Sequence, residues 1–286
     1  MTPSQASVGR LIVCPTPIGN LEDVTLRVLA ALANADLIAC EDTRHTRVLL
    51  DHHGITARLV SFHEHNERAR ARELAQRIRA GSVVALVSDA GTPLVSDPGF
   101  VLLQECLAEG LPIEVLPGPS AVLTALIASG LPADRWRFVG FLPRKASERE
   151  QLLECAEETL VAFESPRRLA ATLAQLAALD PERPLAVCRE LTKVHEEVRR
   201  GNAAQLADYY RESAARGEVV IVVGAVTPGE GRRPEALSAA RELVDSGVRV
   251  RTAAAVVGKL TGVGANELYR ELMGKRHDED VAARSR

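Results

Sequence analysis

Short aliphatic runs alternate with amphipathic stretches along most of the chain. Leu11–Cys14, Leu37–Cys40, Val83–Ser88 and Ile113–Leu116 read as strands. Between them Leu26–Ala35, Glu67–Ala80 and Gly99–Glu109 repeat apolar residues at helical spacing. Short apolar strands separated by helices are the signature of βαβ units and a parallel sheet. The alternation continues with Ala121–Ser129, Glu148–Glu158, Arg167–Ala178 and Asn202–Ala215 as helices. Phe138–Phe141, Thr159–Phe163, Leu185–Arg189 and Glu218–Val223 read as extended. The pattern predicts two α/β domains meeting near Pro117, a mostly parallel one over 1–117 and a mixed one over 118–226. At Thr227–Ala236 (TPGEGRRPEA) periodicity stops in a charged Pro/Gly stretch that reads as a linker. Helical spacing returns at Glu235–Ser246, Thr252–Leu260 and Asn266–Leu272, so residues 227–286 are expected to form a linker and a small helical module.

Charge sharpens that division. The 286 residues carry a net charge of -3, which excludes a uniformly basic nucleic-acid binder. Arg232–Arg286 nevertheless hold eleven Lys/Arg against eight Asp/Glu, so the module is basic and the remainder acidic. Five scattered cysteines with no CxxC pair offer neither a zinc site nor a disulfide framework. No run approaches the roughly 20 apolar residues that span a bilayer, and the N-terminus lacks a signal-peptide apolar core. The expectation is a cytoplasmic protein with no membrane partner.

Three predicted strands end in Pro/Gly-rich polar loops: CPTPIGNLED (Cys14–Asp23), SDAGTPLVSDPG (Ser88–Gly99) and PGPSA (Pro117–Ala121). Ligands of open parallel sheets sit beyond the carboxyl ends of the strands. Proline fixes φ and glycine lets backbone approach a ligand, so three such loops on one edge predict a rigid, backbone-lined pocket. Ordinary turn chemistry would account for any one of them but poorly for all three. Neither GxxxxGK[ST] nor GxGxxG is present, which argues against a polyphosphate ligand. Asp89 and Asp97 stand among prolines and glycines rather than further ligating side chains, and His63-x-His65 has no evident third ligand, so no metal is expected. A small adenosyl ligand suits such a pocket.

The loops resemble those of the tetrapyrrole methylase superfamily, whose members bind S-adenosyl-L-methionine between two α/β domains. PGPSA matches the superfamily's PG-x-S loop; PTPIGN and AGTP depart from its GxGxGD and GGDP patterns. The departures, with EDTRHTRVLL, SFHEHNE, FVGFLPRK, FESPRR and RELTKVHEE in that order, resemble the bacterial 16S ribosomal RNA ribose-2'-O-methyltransferase family over about Leu11–Gly224. The resemblance implies an α/β, two-domain class III methyltransferase fold with a small C-terminal helical module. It implies S-adenosyl-L-methionine as cofactor, the small ribosomal subunit with a decoding-centre cytidine as substrate, and a homodimer.

Carried onto this chain, the cofactor residues are expected at Pro17, Gly19, Asp89, Ala90, Gly91, Thr92, Pro93, Val95, Ser120, Ala121 and Phe163. RNA contacts are expected at Glu41, Arg44, His63, Arg144, Lys145, Arg167 and Arg168, and in the module at Arg249, Arg251, Lys259 and Arg270. Paired cations suit phosphates, and carboxylates suit ribose hydroxyls; a solvated, mutually paired rim is the plain alternative. Glu41, Glu190, Lys145 and Lys193 are candidates for deprotonating a ribose hydroxyl or stabilising the developing alkoxide. Glu190 and Lys193 are favoured because RELTK places an acid and a cation in one short loop. The competing functions are a corrin or porphyrin C-methyltransferase and a non-catalytic RNA-binding assembly factor.

Overall fold

The computed structural model describes residues 9–154, 156–226 and 233–273; of the expected linker at 227–236, residues 227–232 lie outside them and 233–236 belong to a helix. The first sheet comprises β1 (Arg10–Val13), β2 (Leu37–Cys40), β3 (Leu59–Ser61), β4 (Val83–Leu86) and β5 (Ile113–Val115). All pairings are parallel, in the order β3-β2-β4-β1-β5. Strand alternation splits the apolar residues cleanly between two faces. Leu11, Val13, Leu37, Ala39, Val84 and Leu86 pack under α3 (Glu67–Arg79) and α4 (Phe100–Ala108). Ile12, Cys14, Ile38, Cys40, Ala85 and Val87 pack under α1 (Leu26–Asn34) and α2 (Thr43–His52). Both faces are covered, which is why the strands read as unbroken apolar runs.

β1 and β4 are neighbours whose onward connections leave in opposite directions, the switch point of the sheet. Their loops meet there: Thr16 and Gly91 exchange backbone hydrogen bonds of 2.8 and 3.0 Å.

The second sheet runs β6-β7-β10-β8-β9, with β6 (Trp136–Phe141), β7 (Thr159–Glu164), β8 (Pro184–Arg189), β9 (Glu197–Asn202) and β10 (Val219–Val223). Only β6 and β7 pair in parallel. α7 (Leu169–Leu179) and α8 (Ala203–Glu212) cover one face, with Leu153 of α6 (Ala146–Glu154) in the same cluster. α5 (Ala121–Ser129) covers the other, where Val122, Ala125 and Leu126 pack with Val161, Cys188, Val220 and Val222. Ile18 of the β1 loop is buried in this cluster, so the first half of the chain reaches directly into the core of the second.

Three elements were absent from the expected pattern. α2 starts on polar residues, with the Asp42 side chain capping Arg44 N–H, and buries only Thr46, Leu49 and Leu50. β3 and β9 are sheet edges without an apolar run; β9 reads EVRRGN, the charged sequence suited to an exposed edge. α6 ends at Glu154, short of the expected Glu158.

α9 (Arg233–Asp245), α10 (Val250–Thr261) and a further helix over residues 265–273 share a separate core of Ala236, Ala240, Ala254, Val257, Val263, Leu268 and Leu272. A Cβ on Gly258 would stand 2.7 Å from the Val263 carbonyl oxygen, so glycine sets that close approach. Because this cluster draws on none of the sheet residues, its stability should be local. Leu268→Ala, at a site 1% exposed, should cost about 2–4 kcal/mol within the module. Amide exchange should accelerate over residues 236–272 while β1, β4, β7 and β10 keep full protection.

Candidate active site

A cavity of about 470 Å³ opens where the loops after β1, β4 and β5 face the α5 side of the second sheet. Of the residues expected to hold a cofactor, Asp89, Ala90, Gly91, Thr92, Val95, Ser120, Ala121 and Phe163 line it. Pro17 and Pro93 are buried and do not reach its surface. Gly19 is not in its wall either: a Cβ there would lie 2.5 Å from the Lys193 side chain and 2.7 Å from the Thr192 hydroxyl. Ile18, Ser96, Asp97, Phe141, Glu164, Cys188, Leu191 and Gly217–Val220 also line the cavity and were not anticipated.

The segment SDAGTPLVSDPG (Ser88–Gly99) is shaped by left-handed backbone. Leu94 and Ser96 adopt φ of 72° and 67°, and Gly91 and Gly99 are also left-handed at 79° and 132°. These turns fold the segment back so that both of its acids, Asp89 and Asp97, face the cavity. Thr92 Oγ1 donates to the Pro119 carbonyl (3.1 Å), tying the segment to the PGPSA loop. Among the described residues only two other non-glycines have positive φ, Glu190 (51°) and Thr192 (65°), and they belong to the opposing RELTK loop. Each such residue costs on the order of 1–3 kcal/mol, and such strain gathers at ligand sites.

RELTK is a brace. Lys193 Nζ reaches Glu190 Oε1 (3.0 Å) and Glu218 Oε2 (2.7 Å), and Glu190 Oε1 also accepts from Glu218 N–H (2.9 Å). The Thr192 hydroxyl accepts from Asn20 N–H at 3.0 Å, joining the two halves of the chain. The backbone N–H of Glu218, then Lys193, hold the Glu190 carboxyl below its usual range, which makes it a poor proton acceptor. Burial opposes the Lys193 charge, but the Glu218 and Glu190 carboxylates prevail and raise its pKa. Neither Glu190 nor Lys193, the expected catalytic pair, lines the cavity.

The charged residues of the cavity wall are all acids: Asp89, Asp97, Glu164 and Glu218. Asp97 is pushed up to about 6, chiefly by burial, partly offset by a hydrogen bond from Ser88 and reinforced by the nearby Glu41 and Asp89. No Lys, Arg or His lines this cavity among the described residues. A second, more open cavity of about 510 Å³ adjoins it, lined by Glu41, Asp42, Thr43, Arg44, Ser61, His63, Glu64, His65 and Asp89. Asp89 belongs to both walls; its Oδ1 accepts from Asp42 N–H at 3.0 Å, and His45 Nδ1 lies 3.8 Å from Oδ2. Burial, then Asp89 and Glu64, raise the Glu41 carboxyl.

Glu41, Arg44 and His63 line this one groove, and Arg44, its side chain 90% exposed, pairs with Asp42 at 2.6 Å. Arg144 and Arg167 are exposed beyond β6 and β7 and make no ion pair among the described residues, whereas Lys145 pairs with Glu148 at 2.9 Å. Arg249, Arg251, Lys259 and Arg270 are exposed on the C-terminal module.

Arg168 differs from its neighbours. Its Nε donates to Glu164 (2.6 Å) and its Nη2 to the Leu142 carbonyl (2.8 Å), while the Thr172 hydroxyl donates to the other Glu164 oxygen (2.7 Å). The Glu164 side chain is 0% exposed, so Arg168 neutralises a buried carboxylate rather than facing RNA. Removing one partner of such a pair strands the other charge. Arg168→Ala should lower unfolding stability by about 3 kcal/mol, measured by chemical denaturation, with Glu164→Gln in the same chain recovering more than half of the loss.

The match to the Tetrapyrrole (Corrin/Porphyrin) Methylases model spans residues 10–207. Ribosomal RNA small subunit methyltransferase I of Mesorhizobium japonicum is 47% identical over 270 residues, covering 92% of this chain and 91% of that protein. Among solved structures, uroporphyrin-III-C-methyltransferase from Thermus thermophilus superposes with a TM-score of 0.57 at 26% identity, over 76% of this chain and 94% of that one. Another Thermus thermophilus uroporphyrin-III C-methyltransferase structure, complexed with S-adenyl homocysteine, gives 0.53 at 22% identity, over 79% of this chain and 100% of that one.

Proposed function

The chain belongs to the tetrapyrrole methylase family and, within it, to the ribosomal RNA small subunit methyltransferase I family, and from that premise we propose that it methylates a ribose 2'-hydroxyl of 16S ribosomal RNA. The observation that carries this reading is the cation-free, carboxylate-bearing cavity built from the β1, β4 and β5 loops, with an acidic groove meeting it at Asp89. Such a wall suits a cationic sulfonium and repels polyphosphates. The left-handed Gly91, whose Cβ would point toward Ile18 at 3.4 Å, supplies the backbone-lined cradle that an adenosyl group needs. S-adenosyl-L-methionine, when bound, supplies an electrophilic methyl group. Everything else falls to the protein: holding the acceptor oxygen in line and taking its proton.

Asp97 is the proton acceptor in this reading. It faces the cofactor cavity, and Glu41 and Asp89 couple it to the groove from which a ribose would enter. The carboxylates of the groove accept hydrogen bonds from ribose hydroxyls, while Arg144, Arg167 and the cations of the C-terminal module meet phosphates. A decoding-centre cytidine on an assembled small subunit is the proposed target, within the cytoplasm. A second copy of the chain is the proposed partner. Leu123 and Ile127 stand four residues apart on α5, 51% and 74% exposed, and Val194 is 97% exposed, leaving apolar surface for a dimer. A macrocycle C-methyltransferase is disfavoured because the relative covering nine-tenths of the chain is named for ribosomal RNA.

The test is methyl transfer from labelled S-adenosyl-L-methionine to small subunits isolated from a strain lacking the enzyme, with the modified ribose mapped. No label in the 16S RNA would overturn the reading. A base must be ionised to act, and Asp97 ionises at about 6. Turnover should therefore fall as the pH drops through about 6 and level off above it. Asp97→Asn should lose about a hundredfold or more in kcat, the usual worth of a positioned base, with a much smaller loss of cofactor affinity by calorimetry.

A further inference from the structure

We propose that Phe141 is the platform on which the target nucleobase stacks, an assignment that rests on the RNA-methylating reading above. A large apolar ring is seldom left in water beside a cavity, yet Phe141 is 63% exposed while forming part of the cavity wall. Its orientation is built. The β6–β7 pairing slips between Phe138 and Phe141, and Gly140 in the slip has φ of 67°. Such a bulge re-aims the following side chain. Only Ser96 of the β4 loop comes near a Cβ placed on Gly140, at 3.8 Å, so the turned segment sits against the cofactor loop. Beneath it Phe163 meets the Phe141 ring at 5.4 Å and 60°, and Phe138 meets Phe163 at 5.0 Å and 70°. The edge-on Phe163, itself backed by Phe138, holds the outer ring in place and leaves surface of Phe141 open to solvent.

Charge identifies the occupant. Arg144 follows Phe141 by three residues and Arg167 follows Glu164 by three; both are exposed and free of ion pairs among the described residues. An open aromatic ring with two exposed arginines within three residues of the wall positions Phe141 and Glu164 matches a single-stranded nucleotide, its base on the ring and its neighbouring phosphates on the cations. With the base anchored at the cavity mouth, its ribose lies toward Asp97 and Asp89. Phe141 is thus a positioning residue that acts on the acceptor and not on the cofactor.

Phe141→Leu should raise KM for small subunits and lower kcat/KM by about tenfold or more, the scale of one base–aromatic stack. Cofactor affinity by calorimetry should fall by less than kcat/KM does. Phe141→Tyr should recover most of the loss, since a tyrosine ring still stacks. Unchanged kcat/KM in Phe141→Leu, an equal fall in cofactor affinity, or failure of tyrosine to restore turnover would each overturn the assignment. A second arm needs no turnover: fluorescence of Phe141→Trp should be quenched by a short oligocytidylate, with no comparable quenching of the wild-type protein through Trp136. Absence of that quenching overturns the proposal. Quenching by a protein that labels no ribosomal RNA would overturn the methylation reading and leave the stacking surface standing.

Discussion

Everything at the site depends on Gly19 having no side chain. That absence admits the Thr192 hydroxyl and the Lys193 side chain against the β1 loop, where Thr192 accepts the Asn20 N–H at 3.0 Å. One residue earlier, Ile18 enters the apolar cluster of α5, β7, β8 and β10. The two halves of the chain are thus joined by a polar contact at Asn20 and a buried apolar one at Ile18, on either side of Gly19 in a single loop. The cavity is the space left between them, and its shape is as fixed as that junction.

The strain at the site is placed accordingly. Leu94 and Ser96 on one side, and Glu190 and Thr192 on the other, occupy left-handed backbone that β-branched and bulky residues avoid. Such conformations persist where the surroundings over-determine them. Here the surroundings are the Thr16–Gly91 bridge and the Thr92–Pro119 hydrogen bond for the first loop, and the Lys193–Glu190–Glu218 brace for the second. The same brace ties Glu190 and Lys193 to each other and to Glu218.

How far the sequence discloses this molecule follows from what periodicity can encode. Leu11–Cys14 and Val83–Ser88 are legible because both faces of their sheet are covered, and the three cofactor loops because proline and glycine mark them. α2 was missed since it buries only three residues behind a polar start, and β9 since an exposed edge has no apolar signature. Asp97 and Phe141 were missed as cavity residues for a related reason. Their positions depend on a loop doubling back at Leu94 and Ser96 and on a one-step slip beside Gly140, neither of which leaves a periodic trace. Arg168 looks like its neighbour Arg167 in the string FESPRR, and only the third dimension shows that one faces water and the other a buried acid.

That buried acid constrains how this region can diverge. Glu164 and Arg168 tie the end of β7 to the Leu142 carbonyl just past β6, within a few residues of Phe141 and Phe163. Neither position can drift alone without stranding a charge or an unneutralised acid beside the cavity. The two codons are coupled: a lineage must change both nearly together, or cross an intermediate that folds poorly. Positions 164 and 168 should therefore behave as one inherited character.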